Sequence, residues 1–299
     1  MFSRKDILVL GMMIFALFLG AGNIIFPPME GYTAGQHWAT AALGFVLTGV
    51  LMPFITLVVV SVLGRGEELT RDLPKWAEVL FLVTLYLVIG STFAMPRITN
   101  VAYEMAFVPL DIVADTSVNH LIFAVVFNII AMLFMLKPNT IISSVGKFMT
   151  PALLVLLVVV TVTVFMSPLS DIAVPSKSYA DSSALTTGLI SGYQTMDVLA
   201  AIAFGGIVAR ALSAKNITEP QKIMRYTISA GGISVVLLAA LYFSLFYLGA
   251  TSDQVAQGAS NGGQIFSRYV NVLFGKEGSW IMSGIIFLAS LTTLVGVTS

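Results

Sequence analysis

The chain contains no cysteine, only two histidines, and charged residues at just 10% of its 299 positions, with fifteen basic and fifteen acidic side chains cancelling. Each shortage excludes a class of chemistry. Without cysteine there is no disulfide, thiol nucleophile or iron–sulfur ligation. Without a basic excess or a basic cluster, nucleic acid is not a partner. His37 and His120 fall in segments expected to be loops. No H-E-x-x-H zinc site or magnesium-binding D-D-x-x-D run is written into the sequence. No His-Ser-Asp set or phosphate-cradling glycine loop lies at membrane depth, so there is no catalytic residue to assign and the chain does not read as an enzyme.

What is present is apolar, at 57% of all residues. A hydrocarbon core of roughly 30 Å takes about 20 apolar residues per helical crossing, which leaves room for about eight crossings. Apolar spans run over 6–29, 39–63, 76–97, 118–136, 141–167, 186–209, 226–250 and 278–299. All should be helices, because an open sheet cannot satisfy its backbone in lipid. The expected fold class is therefore all-α, a polytopic helical membrane protein. The first span follows Arg4 and Lys5 like a signal peptide but lacks a small-x-small cleavage site, and is read as uncleaved. With a cytoplasmic N-terminus, eleven of the fifteen bases lie on the inner side, including Lys137 and Lys147, while the outer loops hold Lys177, Arg268 and Lys276. Arg97 is left at the outer end of the third span, where snorkelling to the interface accounts for it better than a gate. The segment 168–185, rich in Ser, Asp and Pro, divides a first half, 1–167, from a second, 186–299.

Two spans carry their own interruptions. Gly20, Ala21, Gly22 and Asn23 lie mid-span, followed by Pro27 and Pro28, and this pattern predicts unwinding. Asp6 to Leu19 would rise roughly 21 Å before the gap, which places it well inside the bilayer. The outer half-helix is expected to begin near Asn23, with Pro27 in its first turn, where a missing N–H costs little. The sixth span holds Gly192, Tyr193, Gln194, Thr195, Met196 and Asp197. A carboxylate there costs about 2.5 to 3.5 kcal/mol on insertion scales and should face a cavity or a partner. Interrupted helices at equivalent places in two five-helix halves point to an inverted-repeat secondary transporter. The carbonyls ending one half-helix suit a hard cation, and the N–H groups starting the next suit a carboxylate. Ala289, Ser290, Leu291, Thr292 and Thr293 in the last span add neighbouring hydroxyls. Bland readings compete: a close glycine crossing, an interhelical bond from Asn23, a helix cap at Asp197, and threonines bonded to their own helix.

The run from Phe15 through Gly20-Ala21-Gly22-Asn23 to Pro27-Pro28, with Gly192 to Asp197 and Leu291-Thr292-Thr293, resembles the bacterial branched-chain amino acid:cation symporter family of the amino acid-polyamine-cation superfamily. The resemblance implies an inverted five-plus-five repeat, here incomplete, with helices 1 and 6 broken. It implies inner-membrane uptake of leucine, isoleucine and valine coupled to Na⁺ or H⁺, with no cofactor and no obligate protein partner beside the membrane lipid. Carried onto this chain, the superfamily's sodium site implies the carbonyls of Ala16, Leu19 and Ala289 and the hydroxyls of Thr292 and Thr293, with no metal beyond Na⁺. The backbone of Gly20, Ala21, Gly22 and Asn23 would meet the substrate carboxylate. Gln194, Thr195 and Asp197, chosen on polarity and depth, would meet its amine and side chain. Family members continue beyond the eighth helix, in which this chain is expected to stop, so transport by the chain alone is expected to be poor. The alternative is an ion channel or a non-transporting structural fragment, for which no selectivity ring or charged stripe is visible.

Overall fold

The computed structural model describes residues 3–112, 114–135, 149–176, 179 and 183–297. Among them there is no strand. Helix α1 (Arg4–Phe18) opens on a capping box: the Asp6 amide donates to Ser3 Oγ (3.2 Å) and the Ser3 amide to Asp6 Oδ2 (3.0 Å). The Asp6 carboxylate also meets Lys215 at 3.6 Å, pinning the start of the chain beside the end of a later helix. After a two-residue gap α2 (Ala21–Ala34) follows, and the chain turns at Gly35, whose φ of 51° glycine adopts without strain. Helices α3 (Trp38–Val46) and α4 (Met52–Leu63) are joined by a π-helical turn and complete the second expected span.

The third span departs from expectation. The sequence reading closes it at Arg97, but α5 (Lys75–Ile89) stops at Gly90, the chain loosens over 90–93, and α6 (Ala94–Ala102) resumes and is extended by a wider π-helical turn (Tyr103–Phe107) and a tighter 3-10 turn (Val108–Leu110). Pro96 sits in the first turn of a new helix rather than at the end of an old one. Then come α7 (Ser117–Met135), α8 (Thr150–Met166), the pair α9 (Ala184–Tyr193) and α10 (Asp197–Ser213), and α11 (Pro220–Ala250). A short turn of helix, α12 (Asp253–Ala256), precedes α13 (Gly262–Phe274) and the final α14 (Lys276–Val297). The part of the fifth expected span over 141–148 lies outside the described residues, as do Lys137, Lys147 and Lys177. His120 belongs to the first turn of α7 rather than to a loop, its ring stacked on Tyr103 and its Nε2 3.1 Å from Asn100 Oδ1.

Gly22–Leu63, Lys75–Leu110, Ser117–Phe134, Pro220–Ala250 and Lys276–Val297 are each long and apolar enough to cross a bilayer. The pair α9 and α10, bent by 46°, makes a sixth, and Thr150–Met166 is a shorter apolar helix. The outward faces of α5, α7 and α8 present Trp76, Leu80, Leu121 and Val155, all at least 60% exposed, as a membrane surface requires. Two groups of helices emerge from the packing. In one, α11 runs against α1, α2, α3 and α4, while α3 packs on α9 and α4 on α10. In the other, α14 packs on α6, α7, α8 and α13. The broken helices lie at the seam.

Small residues let these helices approach. A Cβ added to Gly31 of α2 would fall 2.0 Å from the Phe246 carbonyl oxygen, and one added to Gly249 of α11 would fall 2.1 Å from that of Pro28, so a single crossing is glycine-lined from both sides. Gly31→Ala should therefore lower the thermal midpoint of the detergent-solubilised chain, on the scale of about 1–3 kcal/mol for overpacking. Gly232→Ala, in the same α11 helix but with nothing within 4 Å of the new methyl, should not. Equal midpoints for the two variants would contradict this packing.

Candidate functional site

The first break is narrower than the sequence suggests. Gly20 is extended (φ −79°, ψ 162°) and α2 restarts at Ala21. Asn23 is therefore the third residue of the outer half rather than its first, and Pro27 stands in the second turn. There the two prolines deprive the carbonyls of Asn23 and Ile24 of their usual helical donors.

Four carbonyls at the end of α1 would have no helical partner. Phe15 receives the Leu19 amide at 2.8 Å. Ala16 receives Thr292 Oγ1 at 3.1 Å, and Leu17 receives Thr293 Oγ1 at 3.4 Å. Phe18 receives both the Gly20 amide at 2.8 Å and Asn23 Nδ2 at 2.6 Å. Helix α14 thus finishes α1 with two hydroxyls. Thr292 Oγ1 also lies 3.0 Å from the Ala289 carbonyl, so one hydroxyl proton faces two acceptors and three oxygens converge. Of the ion residues expected from the sequence, Ala16, Ala289 and Thr292 come together. Thr293 meets the carbonyl of Leu17, not that of Leu19.

The second break spans 194–196. Thr195 Oγ1 donates to the Gly192 carbonyl (2.8 Å), and Met196 takes a left-handed φ of 60°, uncommon for a residue with a side chain. Helix α10 starts at Asp197, a position where the helix dipole favours negative charge. Asp197 is 7% exposed, and its Oδ2 accepts Asn23 Nδ2 at 2.6 Å. The same Asn23 nitrogen lies 2.9 Å from the hydroxyl of Tyr242 on α11, which Phe45 holds edge-on at 5.1 Å. An amide nitrogen has two protons for these three neighbours. The carboxylate and the Phe18 carbonyl can only accept, which fixes the amide's orientation. One buried side chain therefore ties the end of α1, the start of α10 and the middle of α11.

Both breaks open on one cavity. Its lining combines Gly20, Gly22, Asn23, Thr195, Asp197 and Thr293 with the aliphatic side chains of Val88, Ile89, Ile98, Val101, Leu199 and Val297. About 80 Å³ is open to the centre of a water-sized sphere, several times the roughly 10–15 Å³ one water needs. Gln194 does not line it: it caps the end of α9 and is exposed. Arg97, assigned to the interface from the sequence, lines the cavity instead. Tyr242, one tyrosine in a long apolar helix, carries no signal of this role in the sequence. Among the described residues no group of three or more His, Asp or Glu is arranged to hold a metal ion.

A family model described as "Branched-chain amino acid transport protein" matches residues 3–299. The chain belongs to that family. It is 76% identical over 299 residues to the branched-chain amino acid permease BrnQ of Haemophilus influenzae, matching all of this chain and 69% of that protein. It is 42% identical over 293 residues to the branched-chain amino acid transport system 2 carrier protein of Pseudomonas aeruginosa, and 38% identical over 295 residues to BrnQ of Escherichia coli K12. Both alignments cover 98% of this chain and 66% of the relative, so the chain spans about two thirds of the length of these curated relatives. Membership of the branched-chain amino acid transport protein family makes this chain a multi-pass membrane protein of a transporter family rather than an enzyme.

Removing the Asn23 amide takes the 2.6 Å donor from the buried Asp197 carboxylate and one of two donors from the buried Phe18 carbonyl. Asn23→Ala should destabilise the chain by about 1–3 kcal/mol, read as a lower thermal midpoint, whereas exposed Gln194→Ala should leave the midpoint unchanged. The reverse ranking would contradict this site.

Proposed function

We propose that the chain forms the substrate and coupling-ion sites of a carrier that takes up leucine, isoleucine and valine together with Na⁺ or H⁺. One observation carries the reading: two helix breaks, joined by the Asn23–Asp197 hydrogen bond, share a cavity lined by both polar and aliphatic residues. Within the stretch Gly20, Ala21, Gly22 and Asn23, the amides of Ala21 and Gly22 receive the substrate carboxylate, those of Gly20 and Asn23 being bonded to the carbonyls of Phe18 and Gly20. Asp197, with Thr195 beside it, receives the amine. The wall of Val88, Ile89, Ile98, Val101, Leu199 and Val297 takes a branched aliphatic side chain. Discrimination among the three amino acids is weak, because one methylene in an apolar pocket is worth only about 1–3 kcal/mol.

The coupling cation takes the place now served by hydroxyl protons, among the carbonyls of Ala16 and Ala289 and the hydroxyls of Thr292 and Thr293, with Leu17 beside them in the role first given to Leu19. All are oxygen ligands, which suit a hard cation. Access alternates as the helix group around α11 rocks against the group around α14, with the extended residues at the breaks as hinges. The excess of basic residues in alternate loops supports a cytoplasmic N-terminus in a bacterial inner membrane.

Radiolabelled leucine should bind saturably to the purified chain in detergent, be displaced by isoleucine and valine but not by serine, and require Na⁺ over an inert cation. Thr292→Val should then weaken the dependence on Na⁺ while the protein stays monodisperse. Binding that is indifferent to Na⁺ but rises with acidity assigns the proton as the coupling ion. No saturable binding under either condition contradicts the proposal.

A further inference from the structure

Two residues lining the cavity are charged, and they have opposite sign: Asp197 at the second helix break and Arg97 on α6. Yet the two form no ion pair, their charged atoms standing more than 4.0 Å apart. Two opposite charges sharing a cavity at membrane depth without closing on each other form a costly arrangement unless something lies between them. Arg97 is not simply reaching for water. The break at 90–93 ends α5 and lets α6 restart, which places Arg97 in the first turn of α6, its amide bonded to the Phe93 carbonyl at 3.1 Å. Its guanidinium carbon lies 5.3 Å from the centre of the Phe26 ring and 6.0 Å from that of Phe93, cation–π contacts that hold the flat group in place.

The position of the guanidinium relative to α2 is equally telling. A Cβ built on Gly22 would come 3.3 Å from Arg97 Nη2, so the absence of a side chain at Gly22 lets the guanidinium lie over the first turn of α2. The guanidinium therefore lies beside the first turn of α2, where the Gly22 amide precedes the helical hydrogen-bond ladder and the Asn23 amide is already bonded to the Gly20 carbonyl at 3.0 Å. The Gly22 amide and the guanidinium are both donors suited to an anion, and a guanidinium offers a planar fork that matches a carboxylate. Across the cavity the Asp197 carboxylate offers the complementary charge, oriented by Asn23.

We infer that Arg97 is a substrate-binding residue which, with Asp197, makes the cavity selective for zwitterions: Arg97 and the α2 amides take the carboxylate of an α-amino acid while Asp197 takes its ammonium. The inference rests on the transport reading above and deepens it, since it supplies a reason for the amino acid as a class, where the aliphatic wall supplies only the preference within it. A ligand with one charge leaves the other cavity charge uncompensated, and a net neutral ligand with both charges satisfies both. Arg97 also becomes the link by which substrate couples α6, in the group around α14, to α2 and α10, in the group around α11.

The test is displacement of labelled leucine from the purified chain by leucinamide, which lacks the carboxylate, and by 4-methylpentanoate, which keeps the side chain and carboxylate but lacks the amine. Leucine should bind the unaltered chain about tenfold or more tightly than either analogue. Arg97→Gln should weaken leucine by a similar factor and leave leucinamide unchanged or improved, so that the preference for a carboxylate collapses; Arg97→Lys should retain part of it. An Arg97→Gln chain that keeps the leucine-to-leucinamide ratio overturns the inference. So does an unaltered chain that binds either analogue as tightly as leucine, a result that needs no variant to fold. Those outcomes leave leucine binding intact, which separates them from failure of the transport reading, where the unaltered chain binds no leucine at all.

Discussion

A helix that ends inside hydrocarbon has no water to satisfy its last carbonyls or its first amides, and the centre of this protein is organised by how four such ends are dealt with. The end of α1 is finished by two threonine hydroxyls from α14 and by the amide of Asn23. The start of α10 is occupied by a carboxylate, itself bound by the same Asn23. Because Asn23 serves both breaks, neither can be rebuilt without disturbing the other. Asn23, Thr195, Asp197 and Thr293, which make these bonds, also line the cavity between the breaks.

This explains why the bland and the functional readings of the threonines are not rivals. Thr292 donates toward two carbonyls with one proton, and Thr293 reaches a third at the long distance of 3.4 Å. Hydroxyls that stabilise α1 in this way form a cluster of oxygens that a small cation can enter by turning the protons outward. In the same way Asp197 is at once the first residue of a helix, where its charge is favoured, and a buried acid facing a cavity. In the proposed function, structural satisfaction and solute binding draw on the same atoms, which is how solute binding would move the helices.

Much of this was legible in the residues because chemistry that breaks a helix is local. Glycine, asparagine and proline around Gly20 announce an interruption whatever surrounds them, and a lone aspartate in the sixth span announces a partner. What depends on geometry across a break was not legible. Helical periodicity has no meaning through 194–196, where Met196 takes a positive φ, so nothing in the sequence says that Asp197 turns inward and Gln194 outward. Arg97 was misplaced for a related reason. Pro96 next to a charge reads as the end of a span, but the helix had already stopped at Gly90, and the proline opens the next one. Tyr242 needed the fold itself, since only packing selects one tyrosine of α11 to stand beside Asn23.

The most direct test of the central claim, that both helix breaks build one amino-acid site, is an experimental structure of the chain with leucine and Na⁺ bound. The account predicts leucine in the cavity, its carboxylate between the first turn of α2 and Arg97, its amine toward Asp197, its side chain against Ile89, Val101 and Leu199, and the cation beside Ala16 and Thr292. Leucine held away from either break, or lying in the cavity with its two ends reversed, would contradict it.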